Sequence, residues 1–125
     1  MKDPNHPGCR AISEILNRVG DKWSVLIVGT LADGSKRFNE LRREIPSISQ
    51  RMLTLTLRGL ERDGLVNRTV TPTIPPRVDY ELTGLGRSLQ GPVTALADWA
   101  LANIGAVHEA QQRFDSEHDA QAVAA

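Results

Sequence analysis

Residues 37–82 read RFNELRREIPSISQRMLTLTLRGLERDGLVNRTVTPTIPPRVDYEL, and this stretch decides the fold. It divides into a short helix over residues 38–44, a turn at Pro46, a longer helix, and two strands around a proline-rich tip. In the longer helix Leu53, Leu57 and Leu60 fall at i, i+4 and i+7, the spacing of a buried stripe. Arg51, Thr54, Arg58 and Arg62 fall on the other side. Leu55 breaks the pattern, because 100° per residue places it near the polar face, where it either touches a thymine methyl or is simply exposed. The run Ser47-Ile48-Ser49-Gln50 fits a capping box opening this helix, with Gln50 reaching back to Ser47. Gly64 suits the left-handed position that ends it. Residues 65–71 and 77–82 alternate as strands. Pro72 to Pro76 cannot pair along its length and forms the tip between them.

Outward from this stretch, residues 1–8 hold Pro4, Pro7 and Gly8 and read as a flexible arm. Ile12, Ile15, Leu16 and Val19 give a first helix over about residues 10–19. Asp21 is a good N-cap for a second helix over about residues 22–32, apolar nearly all round and therefore central. Residues 35–37 read as a very short strand. After the hairpin, Thr83 caps a last helical region that Gly91-Pro92 interrupts or kinks. Val93, Leu96, Ala97, Ala100, Ile104 and Val107 then share one face, broadened by Trp99 and Leu101. The body of the domain spans residues 9–115, and residues 116–125 read as a frayed tail.

Composition sets the function classes. The chain has 125 residues, 40% hydrophobic, enough for one domain with a small aliphatic core. No apolar run spans a bilayer and the N-terminus has no apolar signal region, so a cytoplasmic protein that meets no membrane is expected. The single cysteine, Cys9, allows no intrachain disulfide and no cysteine-cluster zinc site. His6, His108 and His118 are dispersed, and the catalytic motifs of hydrolases, metalloproteases and nucleotide-binding enzymes are missing. No catalytic residue, metal or cofactor is expected.

Net charge is zero, yet the charge is polarised. Residues 36–77 carry nine basic residues against four acidic, and residues 78–125 carry two against seven. DNA affinity follows local phosphate contacts rather than the global sum. A basic helix behind a turn and ahead of a basic hairpin is the layout of a winged helix-turn-helix: mainly α with a small β-hairpin, the helix in the major groove and the hairpin beside it. The candidate DNA-binding residues are Lys36, Arg37, Arg43, Ser47, Ser49, Gln50, Arg51, Thr54, Arg58 and Arg77. Ser47 and Ser49 stand at the start of the helix, where free N–H groups favour phosphate; capping is the competing role for Ser47 and Gln50. Arg51 and Gln50 suit guanine and adenine edges. Arg77, at the base of the hairpin, suits a phosphate or the minor groove, or else an ion pair with Asp79 or Glu81.

The order of landmarks also resembles one family. Cys9, GDKWSVLIVGTL, RFNELRREIPSIS, RMLTLTLRGLERDGLVNR, PPRVDYELTGLGRSL and Trp99 together look like the HxlR-type branch of the MarR-like winged-helix regulators, over about residues 9–100. The resemblance implies a homodimeric bacterial transcription regulator that joins through its first and last helices and binds a pseudo-palindromic double-stranded operator. It departs at Arg10, where the family often has proline. Some family members sense quinones, aldehydes or oxidants through a cysteine in the region of Cys9. Cys9 precedes the first helix beside Arg10, a setting that favours the reactive thiolate. Trp23, Val93, Leu96, Trp99, Ala100 and Ile104 are candidates for a dimer interface or a small-effector pocket; core packing is the competing role for Trp23. A repressor answering a redox or electrophile signal through Cys9, or a small ligand, is the expected function. The alternative is a winged-helix module that binds protein; it would expose a broader apolar patch on the arginine-bearing helix than Leu55 alone.

Overall fold

A computed structural model describes residues 7–124. Six helices and three strands follow in order: α1 (Pro7–Val19), α2 (Lys22–Thr30), β1 (Lys36–Arg37), α3 (Phe38–Glu44), α4 (Gln50–Arg62), β2 (Val66–Thr71), β3 (Arg77–Leu82), α5 (Gly84–Ser88) and α6 (Gln90–Ala124). The chain is mainly helical, with one antiparallel sheet in the order β1-β3-β2. It forms two units, residues 1–93 and residues 94–125, the second being the body of α6.

The first unit closes around one aliphatic core. Ile27 and Val28 of α2, Leu41 of α3, Leu53, Leu57 and Leu60 of α4, Val66 of β2 and Leu82 of β3 are all buried in it. The Asp21 carboxylate accepts from the Trp23 and Ser24 backbone N–H groups at 3.1 and 3.2 Å, which caps α2 as its sequence predicts. The helix ends at Thr30, earlier than expected, and passes into a 3-10 turn over Leu31–Asp33. Trp23 packs at the core's edge, with the Lys22 ammonium 4.1 Å from its ring centroid.

Between α3 and α4 the turn is held by two anchors, Ile45 and Ile48, both buried. Pro46, Ser47 and Ser49 point outward. The expected capping box is not the one formed. Ser49 is the N-cap, its hydroxyl accepting from the Met52 N–H at 3.0 Å. Ser47 instead adopts a left-handed backbone, φ 70°, which lets Ile48 turn inward. At the far end Gly64 takes φ 77°, and the Leu65 N–H reaches the Leu60 carbonyl at 2.9 Å, so α4 stops where the glycine predicts.

The hairpin pairs Val66 with Leu82 through to Thr71 with Arg77. β1 adds only Lys36 opposite Tyr80 and Arg37 opposite Asp79. Thr83 then ties the hairpin to the end of α4: its hydroxyl donates to the Gly64 carbonyl at 2.6 Å, and its N–H donates to the Leu65 carbonyl at 3.0 Å.

Three further boundaries differ from expectation. Pro7 and Gly8 begin α1 rather than belonging to an arm, because proline at the first helical position needs no N–H partner; the rest of the expected arm lies outside the described residues. The break in the last region falls at Leu89, and Pro92 sits in the first turn of α6, where its missing N–H is not needed. Residues 116–124, expected to fray, continue α6.

Candidate nucleic-acid interface

The outward side of α4 carries a row of four aligned residues, with Gln50, Met52 and Glu61 also exposed on the helix. Arg51, Leu55, Arg58 and Arg62 are exposed and stand at i, i+4, i+7 and i+11, a spacing that lines them up over about 16 Å of helix. None of these three arginines makes an ion pair among the described residues. Leu55 is half exposed in the middle of the row, an apolar surface between guanidiniums. Spacing alone places it there, as a thymine-methyl contact or a plain exposed side chain, and the structure sets it within the arginine row. Thr54 lies at the edge of the row, half-buried, its hydroxyl donating to the Gln50 carbonyl at 2.9 Å. Its donor is therefore already used. Gln50, in the first turn, is exposed and available.

Around the start of α4, the exposed hydroxyls of Ser47 and Ser49 border the helix N-terminus. The Ser49 hydroxyl is committed to the cap, so a phosphate there would meet the remaining free N–H groups of the first turn. On the preceding elements Arg37 and Arg43 are exposed and make no ion pair among the described residues. Lys36 is placed differently: its side chain is only 16% exposed and its Nζ sits 3.1 Å from the Glu44 carboxylate. Its charge is spent inside the protein. Nothing in the sequence pairs these two residues until the short strand brings Lys36 against the end of α3.

Arg77 is the last paired residue before the tip, opposite Thr71, and not at the base of the hairpin. Its Nε lies 3.0 Å from the Asp79 carboxylate, the ion pair weighed against DNA contact. The side chain remains half exposed, so the outer nitrogens of the guanidinium stay accessible. Ile74 at the tip is fully exposed.

The residues expected at a dimer interface or effector pocket separate. Val93 is buried in the core of the first unit, and Trp23 packs against that core. Leu96, Trp99, Ala100 and Ile104 are exposed on α6. Within the first unit a groove of about 930 Å³ lies elsewhere, lined by Ile15 and Val19 of α1, Arg62 and Asp63 at the end of α4, and Leu85 and Leu89 around α5. Cys9 is half-buried in the first turn of α1, inside the helix rather than before it. No group of histidine, cysteine and acidic residues among the described residues is arranged to hold a metal. No helix of the described chain is long and apolar enough to cross a membrane.

Comparison with known proteins gives this geometry its context. The family model for HxlR-like helix-turn-helix proteins matches residues 18–108. The chain is 47% identical over 100 residues to YybR, an HTH-type transcriptional regulator of Bacillus subtilis strain 168, covering 80% of this chain and 79% of that one. Among solved structures it is similar to a transcriptional regulator, ytfH, from Salmonella typhimurium. That likeness has TM-score 0.77 and 39% identity and covers 88% of this chain and 95% of the other. It is also similar to the redox regulator HypR in its reduced form, with TM-score 0.74 and 43% identity over 79% of this chain and 98% of that one. An exposed arginine row on the second helix of the helix-turn-helix, an adjoining hairpin and these relatives agree: the chain belongs to the HxlR-like helix-turn-helix family and is a DNA-binding transcription regulator, not an enzyme.

Proposed function

We propose that this regulator works in the cytoplasm as a homodimeric repressor that grips a pseudo-palindromic operator with two copies of α4 and lets go when Cys9 is oxidised or alkylated. The observation that carries the proposal is the setting of Cys9. It stands in the first turn of α1, and the same helix leaves Ile12, Ile15 and Leu16 exposed. A helix with this much apolar surface calls for a cover. α6 offers the matching chemistry in Leu96, Trp99, Leu101 and Ile104, all at least half exposed. Two copies exchanging these faces would bury them and bring Cys9 into the dimer interface region. The likeness to HypR, a redox regulator, supports the same reading.

The two α4 rows would then meet successive major grooves about one helical turn apart. Arg37, Arg43 and the first turn of α4 contact phosphate, Gln50, Arg51 and Arg58 reach base edges, and Arg77 flanks them from the hairpin. Oxidation by diamide would remove two protons and two electrons from a pair of thiols, giving an intersubunit disulfide and the reduced hydrazine. An electrophile such as a quinone would instead take a single thiolate as an adduct. Either change strains α1 and alters the spacing of the two rows. A small ligand in the α1–α5 groove is the noncovalent route to the same end.

The test is binding of purified protein to DNA from its own upstream region, reduced and diamide-treated, with Cys9→Ser in parallel. Binding lost on treatment in the wild type alone supports the thiol switch. Binding that survives treatment in both assigns Cys9 a structural role and leaves the ligand route.

A further inference from the structure

The end of the recognition helix is held by a side chain from α1. The Arg18 Nε lies 2.6 Å from the Asp63 carboxylate, and Asp63 is the C-cap of α4. The rest of the Arg18 guanidinium lies over Gly59, filling the space that a β-carbon at that position would need. Gly59 is buried in the last turn of a helix that otherwise favours larger residues. Glycine at such a site costs helix propensity, and the site is explained by what lies on it. Arginine near a helix C-terminus also complements the partial negative charge there.

We propose that Arg18 is a positioning residue for DNA recognition: seated on Gly59 and paired with Asp63, it fixes the C-terminal half of α4, and with it Arg58 and Arg62, to the helix that carries Cys9. An ion pair whose partners are each about one-third exposed adds little to stability; what it contributes is placement. The three residues form a rigid link of short reach. Arg18 is in the last turn of α1, so a displacement of that helix is delivered to the arginine row directly. The inference rests on the reading of α4 as the DNA-contacting helix.

Two variants test it. Arg18→Ala removes the link. Gly59→Ala displaces the guanidinium while improving helix propensity, so a purely structural role predicts equal or higher stability and unchanged recognition. Measured by fluorescence anisotropy against the operator and against a random duplex, both variants should lose operator affinity roughly 3- to 30-fold. Random-duplex affinity should stay within about twofold, because phosphate contacts are sequence-independent. The melting temperature of Gly59→Ala should not fall. Operator affinity equal to wild type in Arg18→Ala, or equal weakening on both duplexes, overturns the proposal. If wild type discriminates no DNA, it is the reading of α4 that fails. Amide hydrogen exchange then decides the link alone: faster exchange over residues 58–63 in Arg18→Ala upholds it, and unchanged exchange overturns it.

Discussion

α4 and α6 are both exposed helices with both polar and apolar residues, and they expose opposite things. α4 buries Leu53, Leu57 and Leu60 completely and turns Arg51, Arg58 and Arg62 outward. Beyond Thr94, α6 leaves Leu96, Trp99, Leu101, Ile104, Val107 and Phe114 exposed. A helix whose apolar stripe is already satisfied by its own chain offers charge to a partner, and the partner it suits is an anion. A helix whose apolar residues find no cover offers area, and the partner it suits is another protein surface. Under the proposed function, one chain carries a nucleic-acid face on α4 and an apolar face for a second copy on α6.

The contrast can be broken from either side. Leu57→Ala attacks the satisfied stripe. It should lower stability by about 2–5 kcal/mol in chemical denaturation, and the loss should not depend on protein concentration. Trp99→Ala attacks the uncovered face. It should weaken the proposed dimer by at least about 2 kcal/mol, roughly 30-fold by sedimentation equilibrium, with the helical content retained. A dimer indifferent to Trp99 would assign the α6 face to something other than a second copy. Arg51→Ala should cost about 1–3 kcal/mol of discrimination between the operator and a sequence altered at one base pair, with stability unchanged. Arg77→Ala should have the smallest effect, weakening all duplexes alike and reducing the salt slope of binding by about 0.9, the contribution of one phosphate contact. A slope equal to wild type would mean that the ion pair with Asp79 is the whole role of Arg77.

Much of this arrangement is legible in the residues, and the part that is not has a common cause. α3, the Asp21 cap, the stop at Gly64 and the hairpin follow from local rules, because each is decided by residues within a few positions of one another. The start of α4 does not. Ser47-Ile48-Ser49-Gln50 satisfies the pattern of a capping box, but burial of Ile48 against the core sets the backbone and hands the cap to Ser49. Lys36 is one of nine basic residues in its segment and looks as available as its neighbours until Glu44 takes it up. Val93 shares a helical face with Leu96 and Ile104 in the sequence, yet it belongs to the core. Arg18 and Gly59 are 41 positions apart, and no periodicity joins them. Leu55 is the opposite case: spacing alone places it beside the arginines, with contact to a thymine methyl and plain exposure both open.

The central claim is that DNA meets α4 and the hairpin while α6 stays clear of it. Amide chemical-shift mapping of the labelled protein, titrated with a duplex from its own upstream region, tests this most directly. The account predicts shifts concentrated over residues 47–58 and 71–77, with residues 94–115 unmoved. Shifts concentrated on α6, with the α4 row silent, would contradict it.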